Sequence, residues 1–362
     1  MKILYLTPYG FDYLPDQLYT GLCIILGKDS VIDYPWKREY HDPLFKNPSI
    51  PQNFARPFEF EEVCALIEQR KIDLVVLTAQ RRGTIEALES FSEKFSLPPL
   101  VLVDSNDSME MQKGLFERFN PGVYFKREYH GKDQAGLRSS LKRWQQFGSD
   151  HELFQRTYPL TMSAILETIP PVTHDSEDVD ISFNGYVSHR KRIRAVQLLK
   201  ASPDIRFEGG LYGDSKTRKS KMSSRVSEIL LAKLQGDPYV DEAAWQPKLG
   251  FEEHGQLLGR SKMGLSIRGS GFDTVRYWEI VASKTLLISE RPSIYIPNNF
   301  EHEQHAIFCR PDLSDLVDLV KRYVSDDSER NRIADAGYAH LLKYHTCDQR
   351  ALQFLEICKN TL

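Results

Sequence analysis

The chain has 362 residues, of which 41% are hydrophobic and 27% charged, with a formal net charge of −3. This length fits two domains of ordinary size better than one core, the near-neutral charge gives no general attraction to nucleic acid, and no apolar run is long enough to cross a bilayer. The five cysteines, Cys23, Cys64, Cys309, Cys347 and Cys358, are odd in number and form no CxxC pair. That argues against a disulfide framework or a zinc site, and for a reducing, cytoplasmic setting.

Lys2–Thr7 enters the first strand at once, and its apolar run is too short for a signal peptide. Ile3–Thr7 (ILYLT) is that strand. Pro8-Tyr9-Gly10-Phe11-Asp12 is a turn-rich loop and Leu14–Leu26 a helix, the order in which nucleotide-binding α/β sheets begin. Val31–Tyr34 is a second strand. Pro35–Pro57 carries five prolines and no periodicity. An irregular stretch of that length is uncommon unless functional, so it reads equally as the wall of an acceptor pocket or as a packed surface loop.

Phe60–Arg70 is a helix, Asp73–Thr78 (DLVVLT) a buried parallel strand, and Thr84–Phe95 a helix preceded by Gly83. Leu100–Asp104 (LVLVD) ends in Asp104-Ser105-Asn106-Asp107. Gly122–Phe125 (GVYF) ends in Lys126-Arg127-Glu128-Tyr129-His130. Polar groups gather past strand carboxyl ends, so Asp104, Asp107 and His130 are candidates for a base that takes a hydroxyl proton. The plainer alternative for each is a loop cap or a solvated residue. Lys126 and Arg127 suit an anionic group, or ion pairs with Glu128 and its neighbours. Leu137–Phe147 is a helix.

Tyr158–Asp180 loses periodicity around Pro159, Pro170 and Pro171, which marks a domain boundary. Asp178-Val-Asp180 has the form of a metal-holding DxD. It precedes the strand Ile181–Asn184 instead of following one, and is set aside. Gly185–Arg192 then leads into a helix ending near Lys200. Free N–H groups at a helix start, with Arg190 and Arg192 beside them, would neutralise a leaving phosphate; a solvated basic patch is the alternative at equal weight. Ile205–Tyr212 is a strand. Ser215–Arg225 is a basic segment, a loop whose other reading is contact with an anionic membrane surface. Phe251–Ser261 is a helix with His254 and Gly255 near its start.

Met263–Arg291 reads as one strand–loop–helix–strand unit. Met263–Ile267 is a strand. Gly269 and Gly271 let Arg268–Phe272 turn tightly. Asp273 is placed as an N-cap for a helix to about Ser283, and Thr285–Ser289 is the next strand. Such a unit puts its loop and helix start at the carboxyl edge of a parallel sheet. Arg276, Glu279 and Ser283 share one helix face, and Val275, Trp278 and Ala282 an adjacent face that packs on the sheet. An arginine in the first turn suits a diphosphate, and Glu279, one turn on, suits a ribose diol. An ordinary Arg–Glu surface pair is the plain alternative. His305–Cys309 is a last strand, and Asp312–Val324, Glu329–Tyr344 and Thr346–Asn360 are helices. The chain has no GxGxxG, Walker A, HExxH or GxSxG motif.

GFDTVRYWEIVASKTLLIS, then Glu290–Pro297, then ERNRIADAGYAHLLKYHT at Glu329–Thr346 resemble the C-terminal half of GT-B glycosyltransferases, especially the CgeB-like group. The shared features are an Arg–hydrophobic–hydrophobic–Glu helix after a Gly-containing loop, an apolar strand, and a later helix with an Ala-Gly and a closing His-Thr. The resemblance is specific over residues 250–346 and looser elsewhere. It implies an α/β fold of two doubly wound, Rossmann-like domains facing a cleft. Residues 1–160 would bind the acceptor, 161–345 the nucleotide-sugar, and 346–362 would form a helix crossing back to the first domain. It implies a hexosyltransferase-type enzyme, independent of metal and of any cofactor beyond its nucleotide-sugar substrate. Gly185, Arg190, Arg192, Gly269, Gly271, Phe272, Asp273, Thr274, Arg276 and Glu279 would hold the donor. Tyr9, Gly10, Lys126 and Arg127 would lie on the acceptor side, the acceptor being a glycan, a lipid-linked group or a small molecule, with peripheral membrane contact as a further expectation. The better-known retaining enzymes carry a second glutamate upstream of Glu279; here Phe272 or Asp273 stands there, which leaves the stereochemical course open. A non-catalytic nucleotide-sugar binding protein and a GT-B-fold nucleotide-sugar epimerase are the other readings.

Overall fold

The computed structural model describes residues 1–42, 56–78, 82–131, 137–169, 177–213 and 244–362. Most of the proline-rich stretch Pro35–Pro57 and the whole basic segment Ser215–Arg225 lie outside them.

The strands form two sheets, and every strand pair within them is parallel. The first has six strands in the order β2-β1-β3-β4-β5-β6: β1 Ile3–Leu6, β2 Val31–Tyr34, β3 Leu74–Thr78, β4 Leu100–Asp104, β5 Val123–Lys126 and β6 Thr157–Pro159. The second has five in the order β11-β10-β9-β7-β8: β7 Val179–Tyr186, β8 Phe207–Tyr212, β9 Ser261–Ser266, β10 Leu286–Glu290 and β11 Ile307–Cys309. Strands such as VVL in β3 and LLI in β10 are buried along their whole length, as parallel strands covered on both faces must be. Each order reverses once, at β1/β3 and at β7/β9. Open parallel sheets bind ligands outside the carboxyl ends at such switch points.

The chain divides into two compact units, one of Met1–Thr168, Ile294–Asn298 and Lys343–Leu362, the other of Ile169–Ser293 and Asn299–Leu342. In the first, His345 ties the returning segments together. It is buried; Nε2 faces the Asn298 carbonyl at 2.8 Å and Nδ1 faces Arg350 Nη2 at 3.0 Å. A proton on Nε2 satisfies both. The neighbouring backbone bonds Ala164 N to His345 O and Cys347 N to Ala164 O seat the helix Cys347–Thr361. The closing His-Thr is therefore a structural clasp.

In the second unit, Gly337 lies inside the helix Asp327–Tyr344 because a Cβ there would sit 2.4 Å from the His305 carbonyl oxygen. His305 also stacks near His340, ring centroids 4.1 Å apart. Burial, and then the His340 ring, hold the His305 pKa below the ordinary imidazole value. Because the unfolded chain then takes up this proton first, the associated stability is present above about pH 6.5 and is lost as pH falls through that value towards the lower folded pKa. The melting temperature should accordingly fall on acidification from neutral pH, and His340→Gln should flatten that slope. A parallel slope in the variant, followed by calorimetry, would remove the pair as its cause.

Three expectations need correction. β6 lies in a stretch read as aperiodic; three residues are too few to show a period, and as an edge strand it tolerates Pro159. The short helices Lys113–Phe119 and His151–Arg156 were not expected for the same reason. Gly83 lies inside the helix Arg82–Lys94, not ahead of it.

Candidate functional site

At the switch point of the second sheet, β7 turns at Tyr186 into the helix Arg190–Lys200. His189 caps that helix, its Nδ1 accepting the Lys191 N–H at 3.2 Å. Helical phase then decides which cation points inward. Arg190 is exposed, while Arg192 is buried and donates to three carbonyls: Nη1 to Tyr186 at 2.8 Å, and Nε to Ile267 at 3.1 Å and Arg268 at 3.0 Å. It thereby joins the carboxyl ends of β7 and β9. A Cβ on Gly269 would lie 3.0 Å from Ser188 Oγ and 3.1 Å from Arg192 Nη2. The missing side chain lets the loop settle over this guanidinium.

Arg276 stands in the first turn of the helix Val275–Ala282. Its Nη2 donates to the Asn184 carbonyl and its guanidinium lies over the Phe183 ring, 5.1 Å from the centroid. Its Nε is buried without a hydrogen-bond partner. Burial, and then the nearby Arg276, push the Arg192 pKa down to about 9. Two like charges brought close and partly desolvated call for an anion.

Around them, Glu290 at the end of β10 is buried, accepting the Arg268 backbone N–H at 3.0 Å and the Lys191 ammonium. It links three segments of the carboxyl edge. Asn184 serves similarly: its Nδ2 donates to the Pro247 carbonyl at 3.0 Å while its backbone oxygen accepts from Arg276. Neither was singled out from the sequence. The only signal for Glu290 was its place at the end of an apolar strand.

The helix start differs from expectation. Asp273 is not the cap: it is buried and accepts the Trp278 indole N–H at 2.9 Å, because a buried indole needs an acceptor. Thr274 occupies the cap position, and its hydroxyl pairs with Ser266 Oγ at 3.0 Å instead of capping the helix. The first N–H groups are thus left without a side-chain cap. Gly185 and Gly271 are buried, and Phe272 lies beneath the Arg268 guanidinium, 4.0 Å from the ring centroid. The plain Arg276–Glu279 pair does not form; Glu279 stands 3.6 Å from His254 Nε2, both partly exposed. Asp178 and Asp180, at the amino end of β7, are held by Arg260 and Arg206, each at 2.6 Å. Among the described residues no group of three or more His, Cys, Asp or Glu is placed to hold a metal.

In the first unit the candidates divide. β4 and β5 pair Asp104 directly with Lys126. Both are fully buried and bridged at 2.8 Å, and Asp104 also accepts the Tyr124 hydroxyl at 2.5 Å and the Asn106 N–H at 3.1 Å. Burial, and then Asp104, push the Tyr124 phenol up. Asp104 as a base and Lys126 as an acceptor contact are therefore corrected: the register turns them towards each other beneath the surface. Asp107 is exposed and His130 buried, the latter's backbone N–H held by Gln146 Oε1 at 2.9 Å. Arg127 donates to the Ser105 carbonyl at 3.1 Å. Tyr9 is 64% exposed, and Gly10 has φ 84°.

The glycosyl transferase-like family matches residues 190–356. No curated protein matches the chain. Among solved structures it is similar to a glycosyltransferase from Rickettsia africae, at 13% identity and a TM-score of 0.61, covering 99% of this chain and 98% of that one. HepE from Anabaena, in complex with UDP and glucose, is similar at 13% identity and a TM-score of 0.59, covering 99% and 100%. Sucrose-phosphate synthase from Thermosynechococcus elongatus is similar at 12% identity and a TM-score of 0.58, covering 99% of each. The chain has the two-domain α/β fold called GT-B.

Proposed function

We propose that this GT-B chain, glycosyl transferase-like in its second half, moves a sugar from a nucleoside diphosphate sugar to an acceptor hydroxyl. The observation that carries the reading is the Arg192–Arg276 pair at the β7/β9 switch point, with the Arg276 Nε buried and unpartnered. A diphosphate would supply the missing acceptor oxygens. As the anomeric bond breaks, negative charge grows on the leaving diphosphate. Fixed guanidiniums and uncapped helix N–H groups, aimed where that charge develops, stabilise the transition state. In this scheme they act without a metal ion, and Arg190, exposed at the helix start, adds to them. Glu279 would accept hydrogen bonds from the ribose diol, with His254 orienting it. Gly185, Gly269, Gly271, Phe272 and Thr274 would shape the donor loop, and Asp273 would hold it through Trp278.

The first unit would take the acceptor at its own switch point, beside Tyr9, Gly10 and Arg127, with Asp107 or His130 as the base. Assignment to the CgeB-like group, a hexose as the sugar and a cytoplasmic setting belong to the same proposal; the five free cysteines support the last. The structure of HepE with UDP-glucose makes uridine the first base to try.

A thermal-shift screen of UDP, GDP, ADP, dTDP and CMP tests the donor site. A ligand that binds only the folded chain stabilises it by about 2.7 kcal/mol at a hundred times its Kd. One nucleoside diphosphate should raise the melting temperature, and Glu279→Ala should weaken that binding by roughly tenfold. No shift with any of them would remove the reading's main support.

A further inference from the structure

On the helix Leu137–Phe147, Leu137, Leu141 and Trp144 are 92%, 56% and 67% exposed. Their spacing puts them on one stripe. In a globular protein such a stripe normally faces the core; here it faces water. The helix's orientation is fixed from its other side. Phe147 is buried, and so is Gln146, which accepts the His130 N–H at 2.9 Å and donates to the Met109 and Glu128 carbonyls at 3.0 and 2.8 Å. Turning the stripe inward would break all three bonds, so its exposure is built in.

The charges beside the stripe have one sign. Between Ser139 and Phe147 the helix carries Lys142 and Arg143 and no acidic residue. On the next helix, the carboxylate of Glu152 is paired with Arg156 at 2.5 Å, and Asp150 accepts the Leu153 N–H. An apolar stripe with an indole, flanked by cations on long aliphatic stems, matches the boundary between anionic headgroups and acyl chains. Among the described residues no helix is long and apolar enough to cross a bilayer, so the helix would lie on the surface.

We propose that the Leu137–Trp144 face docks the first unit onto an anionic lipid bilayer. The inference is independent of the donor reading. Full-length chain is mixed with phosphatidylcholine vesicles, with and without phosphatidylglycerol, and sedimented. The chain should bind the anionic vesicles at least roughly tenfold more than the neutral ones, with a blue shift of Trp144 emission that Trp144→Phe removes. Leu137→Ser/Leu141→Ser/Trp144→Ser should abolish sedimentation while melting and nucleotide binding stay as in wild type. Lys142→Glu should weaken it. Vesicle binding by the triple variant equal to wild type overturns the proposal, as does absence of wild-type binding to either vesicle. A concentration-dependent dimer that the triple variant dissolves, without vesicle binding, would assign the face to a second copy instead.

Discussion

Arg276→Ala should weaken nucleoside diphosphate binding by about 1.5–3 kcal/mol, roughly 10–150-fold, the range for hydrogen bonds to charged groups, while leaving the unliganded protein folded. The two halves of this result have one cause. Arg276 sends one nitrogen to the Asn184 carbonyl and leaves Nε buried and unpartnered beside Arg192. Removing it deletes donors that only an anion would complete, and also relieves the repulsion that, after burial, lowers the Arg192 pKa. Arg276→Lys should recover only part of the affinity, since an ammonium restores charge without the planar fork. Arg192→Ala should behave differently. It strips the carbonyls of Tyr186, Ile267 and Arg268 of their partner, so stability and binding should fall together. Titration calorimetry with melting curves separates the cases. Wild-type affinity in Arg276→Ala would mean that the anion binds elsewhere.

Lys126→Ala should destabilise the first unit by about 3–5 kcal/mol, because it leaves the buried Asp104 carboxylate without its counter-charge. Tyr124 and Asn106 would still donate to that carboxylate, but neither carries a charge. Asp104→Leu/Lys126→Met should return most of the loss, since apolar residues of similar volume often replace a buried pair at little cost. Denaturant unfolding measures both. If Lys126 instead met an anionic acceptor at the surface, alanine would leave stability nearly unchanged and reduce only activity.

The buried strands were readable because parallel strands covered on both faces are short runs of branched apolar residues with turns at their ends. The Gly loop and the Arg276–Glu279 helix were readable because they follow such a strand. What failed depended on partners distant in sequence. Asp104 and Lys126 each looked like a polar residue emerging from a strand end; only the β4–β5 register shows that they meet. Asp273 has the right chemistry for a cap, yet the buried indole of Trp278 claims it. Arg190 and Arg192 could not be ranked until the helical phase was known. Asn184 carries no local mark, and Glu290 only its place at the end of an apolar strand, since their importance lies in the three segments that each one joins. The Ala-Gly and His-Thr of the family resemblance were readable as a pattern, but their reasons are packing against the His305 carbonyl and the clasp at His345.

Release of the nucleotide from a panel of nucleotide sugars, carrying UDP, GDP, ADP, dTDP and CMP, tests the central claim most directly. Release is expected from donors of one base joined through a diphosphate, with Arg276→Ala and Glu279→Ala much slower, and none from the CMP-sugar, which lacks the second phosphate that the paired guanidiniums require. Tight binding of a nucleoside diphosphate with no release from any donor, whatever acceptor is added, would contradict it.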